Sequence, residues 1–510
     1  MTSAQITIMV TIILYLCFVI VTGIMIGRRS KKSAEGFYLG GRGMGPLVTA
    51  MSAEASDMSS WLLMGLPGVA YLSGVADAGW TAIGLAVGTY LNFLLVAKKI
   101  RRYSVRLDAI TIPSFISKRY AEEKPVIMCI ASLIILIFFV PYVASGLAAI
   151  GKLFNSLFGW NYILSVVIGA IVIISYTSVG GFSAVATMDL IQSIIMTGAL
   201  IVITVFGINQ AGGLDVVIAN AQALPGYLSF TQIHDVASGA AKPYGLLNIA
   251  SMFAWGLGYF GMPHILVRFM AIRKEEELTL SRRIASVWVV ISMAVAVCIG
   301  MIGYSVSKAG RIPMLEGSNS ETVIVQISNL LSTHGLLLAV VAGLIIAGIF
   351  AATMSTADSQ LLAAASAFSE NLLQDVFGIK MSEKQMMLTA RMTVIVIAVI
   401  ATFLAADPNS SVFKIVSFAW GGFGATFGPA VLFSLFWKRT TRQGVLSGLI
   451  AGGAMVFIWK FGIAKLGGLF AIYELLPAFV VACIVVVIVS LATPKPSAEV
   501  EKIFDEMNGN

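Results

Sequence analysis

Residues 52–68 read SAEASDMSSWLLMGLPG and place two carboxylates, Glu54 and Asp57, inside an otherwise apolar region. The stretch ends in GLPG, residues 65–68, a combination of glycine and proline that interrupts helices. A charged side chain in the middle of a bilayer costs ~3 kcal/mol on insertion scales, and unpaired backbone groups are also costly there. We therefore expect this stretch to have a functional role, because a buried carboxylate in a membrane span usually marks an ion or substrate path.

The composition shows that the surrounding chain belongs in a membrane. Of 510 residues, 58% are hydrophobic and 11% are charged, whereas soluble domains carry about 25% charged residues. The net charge of +8 comes from short basic runs between apolar segments, so it indicates membrane topology and not a nucleic-acid partner. The four cysteines lie in apolar runs without CxxC spacing, and the three histidines are scattered, which argues against a metal-ligand cluster.

The apolar regions predict an all-α integral membrane protein. A spanning helix needs ~20 mostly apolar residues, and by this rule we count thirteen spans. They lie at about 6–26, 46–70, 76–97, 125–149, 161–179, 187–208, 245–267, 284–307, 335–362, 389–405, 411–436, 444–463 and 472–492. Residues 1–492 then form a single transmembrane domain.

The distribution of basic residues predicts the orientation of these spans. If the N-terminus is outside, the cytoplasmic loops hold 26 of the 33 Lys and Arg residues. Cytoplasmic loops are enriched in Lys and Arg, so we expect the N-terminus outside and the C-terminus inside. Residues 493–510 become a cytoplasmic tail, polar and either disordered or briefly helical.

A second interrupted segment lies five spans after the first. Residues 254–264 read AWGLGYFGMPH, with three glycines and a proline inside the seventh span. Spans two to six and spans seven to eleven thus each begin with an interrupted helix. Because each group has an odd number of spans, the second group starts from the opposite side of the membrane. The two groups, at about 46–208 and 245–436, are therefore inverted repeats. Interrupted helices at matching positions of two repeats are typical of transporter binding sites.

Polar residues in two other spans are candidates for the same site. Residues 350–369 read FAATMSTADSQLLAAASAFS, which combines several hydroxyls with Asp358. Oxygen atoms are the ligands that hard cations prefer. Membrane Ser and Thr residues also bond to their own helix, and Asp189 at the start of span six could be only a helix cap, so both alternatives stay open.

Four motifs in order give the chain a resemblance to a known family. They are LGGRGMGPLVTAMSAEASDMSSWLLMGLPG, WGLGYFGMPHILVRFM, AATMSTADSQLL and SFAWGGFGATFGPAVLFSLFWKRTTRQG. Together, over about residues 10–495, they resemble the sodium:solute symporter family. The resemblance implies a LeuT-type core of inverted five-helix repeats with three extra helices, at about 6–26, 444–463 and 472–492.

The resemblance also implies roles for individual residues. The expected sodium ligands are the backbone carbonyls of Ala55, Met58 and Ala352 and the hydroxyls of Ser355 and Thr356. Asp57 matches an acidic residue of the family that supports tight sodium binding. Asp189 matches a carboxylate near a second sodium position, and Arg42 matches a functional arginine at the inner end of span two. The expected solute contacts are Ser59, Tyr142, Trp255, Tyr259 and Pro263. Three residues depart from the pattern of the proline-transporting branch, namely Glu54, Ser60 and Met262.

The function implied by the resemblance is import of L-proline coupled to Na⁺ entry, in the plasma membrane of a bacterium. Another small amino acid or a betaine-like solute stays open because of the three departures. A channel would need a continuous polar pore, and an enzyme a nucleophile–base pair or a metal cluster, neither of which the sequence shows. We expect a multi-pass protein whose partners are Na⁺, the solute and the lipid bilayer, with no nucleic acid and no obligate protein partner.

Overall fold

The computed structural model describes residues 1–27 and 34–509, and within these ranges the chain forms twenty α-helices and one β-hairpin. In chain order they are α1 (Ser3–Gly27), α2 (Ala34–Leu39), α3 (Pro46–Asp57), α4 (Leu66–Ser73), α5 (Val75–Leu91), α6 (Ala97–Arg106), α7 (Ile112–Arg119), α8 (Val126–Phe158), α9 (Tyr162–Gln210), α10 (Leu214–Gln222), β1 (Gln232–Asp235), β2 (Ala240–Pro243), α11 (Leu246–Phe253), α12 (Pro263–Ala271), α13 (Leu278–Lys308), α14 (Val323–Ser332), α15 (Leu336–Ser366), α16 (Glu383–Leu404), α17 (Val412–Phe436), α18 (Arg442–Phe461), α19 (Leu475–Ala492) and α20 (Ala498–Asn508).

The all-α membrane class is confirmed. Within the described ranges, ten helices are long and apolar enough to cross a bilayer, and three shorter apolar helices accompany them. The shorter ones are Trp61–Ser73, Tyr162–Ser175 and Leu246–Gly261. Each of the thirteen predicted spans lies on one of these helices, and two of the three short ones belong to the interrupted spans. The number of crossings and the orientation stay predictions.

The first interruption falls earlier than the glycine–proline cluster suggested. Helix α3 ends at Asp57, and Met58 has non-helical torsions of φ −75° and ψ 68°. A π-helical turn, Trp61–Gly65, then leads into α4. Pro67 lies in the second turn of the helix that runs from Trp61 to Ser73, directly after the π-helical turn, and the helix continues past it.

The second interruption has the predicted place. Helix α11 gives way to a 3₁₀ segment, Ala254–Gly261, and Met262 is extended before Pro263 begins α12. The glycines allow close packing: a Cβ on Gly256 would lie 2.2 Å from a backbone oxygen of α5. A Cβ on Gly258 would lie 2.0 Å from the indole nitrogen of Trp420 on α17. The interrupted segment is therefore held between α5 and α17.

Long helices enclose the two interruptions. Helix α15 packs against α9, α1 and α8, while α17 packs against α8, α18, α19 and the 3₁₀ segment. Helix α9 is divided at Gly181, whose torsions of φ 63° and ψ 179° are outside the helical region. This residue lies between the predicted spans 161–179 and 187–208.

The last residues form a packed helix, α20. Three apolar side chains of α20, namely Val500, Ile503 and Phe504, are buried. Lys438, in the turn between α17 and α18, binds Asp505 at 2.6 Å. The predicted tail is thus helical, and it packs on the body of the protein.

Candidate ion and solute site

The first cluster joins the interruption after α3 to helix α15. The carbonyl oxygen of Ala55 accepts hydrogen bonds from the hydroxyls of Ser355, at 2.8 Å, and Thr356, at 3.4 Å. The Ser355 hydroxyl also lies 3.1 Å from the carbonyl oxygen of Ala352. The structure therefore brings together four of the five predicted sodium ligands, all buried, in a set of carbonyl and hydroxyl oxygens suited to a hard monovalent cation.

Met58, the fifth predicted ligand, is the residue at which α3 stops. Its N–H donates to the carbonyl of Glu54 at 2.7 Å, as a last helical bond. Its ψ of 68° turns its own carbonyl out of the helical direction. The backbone of this buried residue is therefore released from the helix, which is the feature expected of a carbonyl ligand.

Asp57 connects the two interrupted segments. Its Oδ2 accepts a hydrogen bond of 2.5 Å from the hydroxyl of Tyr259. Its carbonyl accepts from the indole of Trp61 at 2.9 Å and lies 3.5 Å from the hydroxyl of Tyr142. The side chain thus bonds to the second interrupted segment, at Tyr259.

Asp189 belongs to a second buried cluster, about an arginine. Its Oδ2 accepts from the hydroxyl of Ser52 at 2.6 Å and pairs with Arg268 Nη2 at 3.2 Å. Arg268 also donates to Ser52, to the hydroxyl of Ser359 and to the carbonyl of His264. The sequence analysis counted Arg268 as a loop residue, but it is 1% exposed. Its place inside the apolar run HILVRFM was the signal, since a buried arginine requires a partner.

The predicted solute residues surround the two interruptions. The ring centres of Trp61 and Trp255 are 6.0 Å apart, and Tyr259 meets Trp420 edge to face at 5.1 Å. The indole of Trp420 donates to the carbonyl of Trp255 at 2.8 Å. The sequence analysis missed Trp420, whose signal was its place in the glycine-rich AWGGFG run of α17. These rings form an aromatic wall along the 3₁₀ segment.

Ser59 and Pro263 complete the predicted set at the ends of the interruptions. The hydroxyl of Ser59 accepts from the N–H of Trp61 at 3.3 Å and so caps the π-helical turn. Pro263 begins α12 and lines a cavity together with His264, Arg268 and Ser359. Of the predicted solute residues, Pro263 is thus the one that shares a cavity with the buried arginine cluster.

Arg42 lies away from both clusters, at one end of the bundle. Its guanidinium donates to the Ser104 hydroxyl, to the carbonyls of Ala109 and Met270, and to Glu35. Arg42 thus fastens the segment before α3 to the ends of α6 and α12.

Glu321 fastens a different part of the bundle and was not predicted. Its carboxylate pairs with Lys152 of α8 at 2.9 Å and accepts the Ser411 hydroxyl and the backbone N–H groups of Val412 and Phe413. Both charged side chains are almost fully buried. This ion pair therefore joins α8 to the start of α17, where a carboxylate is favoured by the helix dipole.

The site combines two interrupted helices, a cluster of carbonyl and hydroxyl oxygens and an aromatic wall, all inside an apolar bundle. This combination is that of a membrane transporter and not of an enzyme. Residues 37–452 match the model of the sodium:solute symporter family, and the chain belongs to this family. Sodium is accordingly its coupling ion.

The relatives and solved structures agree with this assignment. The osmoregulated proline transporter OpuE of Bacillus subtilis is 39% identical over 473 residues, covering 92% of each chain. The sodium/proline symporter of Escherichia coli is 39% identical, over 98% of this chain and 96% of its own. A Na⁺-coupled sialic acid symporter, solved in a substrate-bound outward-open state, has a TM-score of 0.77 at 18% identity, covering 96% of this chain and 99% of its own. MhsT in complex with L-phenylalanine has a TM-score of 0.53 at 14% identity, over 88% and 98% respectively. The LeuT-type fold is confirmed.

Proposed function

We propose that this protein imports L-proline together with Na⁺ across the plasma membrane of a bacterium. The observation that carries the proposal is the contact of the Ser355 and Thr356 hydroxyls with the Ala55 carbonyl at a helix interruption. The names of the relatives supply the solute, since three at 38–39% identity, from Escherichia coli, Haemophilus influenzae and Bacillus subtilis, are proline transporters.

The proposed role of Na⁺ is to hold α3 against α15. An ion among the carbonyls of Ala55, Met58 and Ala352 and the hydroxyls of Ser355 and Thr356 would bond to both helices at once. The hydroxyl hydrogens would turn away and present lone pairs to the ion. Binding would therefore favour the conformation in which the two helices are close, and the ion's differential affinity would shift the conformational equilibrium.

The proposed place of the solute is between the two interruptions. A proline ring would pack on Trp255 and Tyr259 of the aromatic wall and on Tyr142, beside Ser59 and Pro263. Its carboxylate would accept from backbone N–H groups released where a helix restarts, which is a favourable place for an anion. Arg42 would open and close one end of the path, and Asp189 would lie near a second position for the ion.

The inverted repeats, at about 46–208 and 245–436, give the proposed transport cycle its two states. Rocking of one repeat against the other would expose the site to each side in turn, with the N-terminus outside and the C-terminus inside. One charge moving inward gains ~2.3 kcal/mol per 100 mV. At ~1.4 kcal/mol per tenfold, the potential alone supports about 40-fold accumulation per 100 mV.

A different solute is the second candidate, because Met262 and Ser60 lie beside the site. Both are fully buried, and each is the chain neighbour of a predicted solute residue: Ser60 follows Ser59, and Met262 precedes Pro263. The resemblance implies glutamine at position 262 and glycine at position 60, so Met262 replaces an amide by a thioether and Ser60 adds a hydroxyl, and both change the polarity and volume of the lining. A betaine-like solute or another small amino acid is therefore the alternative to proline.

The test is uptake of radiolabelled L-proline into proteoliposomes, with and without an inward Na⁺ gradient. We expect Na⁺ to stimulate uptake by the wild type, Asp57→Asn to abolish the stimulation, and the exposed control Asp215→Asn to retain it. Unlabelled betaine and L-alanine in excess report on the alternative. Sodium-driven uptake of one of these, without uptake of proline, would replace the proposed solute.

A further inference from the structure

Glu54 introduces a second carboxylate at the interruption, and its neighbours are specific. The side chain is 0% exposed. Its Oε2 accepts from the Thr89 hydroxyl at 3.3 Å and lies 3.4 Å from the hydroxyl of Tyr259. That same Tyr259 hydroxyl bonds Asp57 at 2.5 Å. The two carboxylates thus share one tyrosine, on the same face of α3, three residues apart.

The hydrogen bonds to this pair are too few for two carboxylates. A tyrosine hydroxyl has one hydrogen, and the short bond to Asp57 uses it. Glu54 Oε1 and Asp57 Oδ1 have no hydrogen-bond partner among the described residues. Asn92, one turn beyond Thr89, donates its amide to the carbonyl of Tyr259, and its own Oδ1 has no partner either. Three buried oxygens near Tyr259 are therefore free to bind a cation.

No cationic side chain balances the pair. Within residues 1–27 and 34–509, the ion pairs of Lys and Arg all involve other carboxylates, including that of Arg268 with Asp189. Asp57 is close enough for its charge to act on Glu54. Two buried carboxylates without a counter-charge are strongly unfavourable, so the pair needs either a proton or a bound cation to offset its charge.

The packing around the pair selects a small ion. Thr89 and Asn92 lie at the end of α5, next to the glycines through which α5 touches the second interrupted segment. A Cβ on Gly88 would lie 2.4 Å from the carbonyl oxygen of Gly256, and one on Gly84 2.3 Å from that of Phe253. Segments packed this closely leave no room for an organic solute, so a ligand held by these oxygen atoms would have to be a small cation.

We propose that the second Na⁺ position lies at Glu54, Asp57, Thr89 and Asn92, separate from the carbonyl and hydroxyl cluster on α15, and not beside Asp189, whose charge Arg268 already balances. This inference rests on the proposed sodium-coupled transport and extends it to two ions for each solute. Because each ion adds its charge, the accumulation supported by 100 mV would rise from about 40-fold to about 2,000-fold. Glu54, which departs from the pattern of the proline-transporting branch, becomes the residue that sets the stoichiometry.

The direct test is binding of ²²Na⁺ to the purified full-length protein in detergent, with no solute required. The wild type is expected to bind two ions and Glu54→Gln one, with the remaining affinity unchanged. Thr89→Val, which removes a neutral ligand, is expected to weaken one ion by about tenfold and leave the other as it was. The exposed control Glu316→Gln is expected to bind as the wild type does. A wild type that binds one ion, or a Glu54→Gln protein that binds two, would overturn the proposal.

A transport measurement separates this inference from the proposed function. In proteoliposomes, the membrane potential at which net proline flux reverses reports the number of charges moved with each solute. The value is expected to correspond to two charges in the wild type and one in Glu54→Gln. Sodium-driven proline uptake with one charge in both proteins would contradict the second site alone. Two bound ions without proline uptake would contradict the solute alone.

Discussion

The hydroxyl of Ser355 offers the sharpest test of the sodium cluster on α15. It lies 2.8 Å from the Ala55 carbonyl and 3.1 Å from that of Ala352, and so stands between the two helices. Substitution Ser355→Ala removes the oxygen with a minimal change of volume. Because the residue is buried, no bulk water can replace the lost ligand without further rearrangement.

The size of the effect follows from the charge of the ligand. A hydrogen bond or polar contact to a charged group is worth ~1.5–3 kcal/mol, compared with ~1 kcal/mol for a neutral pair. At ~1.4 kcal/mol per tenfold, loss of one ligand should raise the half-saturating Na⁺ concentration by about 10- to 140-fold. Maximal uptake at saturating Na⁺ should stay within about twofold, since the solute residues are unchanged.

The assay is initial-rate uptake against Na⁺ concentration, with a control from the same helix. The hydroxyl of Thr353 donates to the carbonyl of Ile349 in its own helix at 2.9 Å, so Thr353→Val removes a hydroxyl that faces no interruption. We expect less than about threefold change for this control. If Ser355→Ala and Thr353→Val shift the Na⁺ dependence equally, the assignment of the cluster on α15 is wrong.

Three further predictions concern other parts of the chain. Glu321→Gln removes the counter-charge of the buried Lys152, which keeps the Ser318 carbonyl as a partner, and should cost ~3–5 kcal/mol, measured by thermal unfolding, with partial recovery when Lys152→Met is added; equal loss in both proteins would contradict this. Lys242 lowers the pKa of Asp235 to about 2, so this contribution to hairpin stability is present above about pH 4 and is lost as the pH falls towards 2. The NMR titration midpoint of the labelled carboxyl should rise towards 3.9 in Lys242→Met without reaching it, because Ser238 still donates to Asp235, and an unchanged midpoint would exclude the pair. Gly256→Ala would place a methyl carbon 2.2 Å from a backbone oxygen of α5 and should destabilise the protein by ~1–3 kcal/mol, whereas normal stability would show that the two segments separate easily.

The sequence by itself determined the membrane class and the places of the helices. A helix that crosses a bilayer needs an apolar run of about 20 residues. The positions of such runs in the sequence therefore predicted thirteen spans, and each lies on an apolar helix of the structure. The glycine and proline pattern also located the second interruption correctly, because Pro263 cannot continue a helix that precedes it. The ligand positions Ala55, Ala352 and Ser355 came from the resemblance of motifs, and the structure brings them together.

Only the tertiary structure decided which polar residues become partners. The first interruption lies at Met58, and the helix that restarts at Trp61 continues past Pro67; local sequence cannot distinguish a proline that breaks a helix from one that a helix tolerates. Arg268 reaches Asp189 across 79 positions of the sequence, and Lys152 reaches Glu321 across 169. Periodicity describes which face of a helix is apolar, but a buried charge is satisfied by whichever helix packs opposite it. That neighbour is set by the arrangement of the whole bundle, and no local pattern contains it.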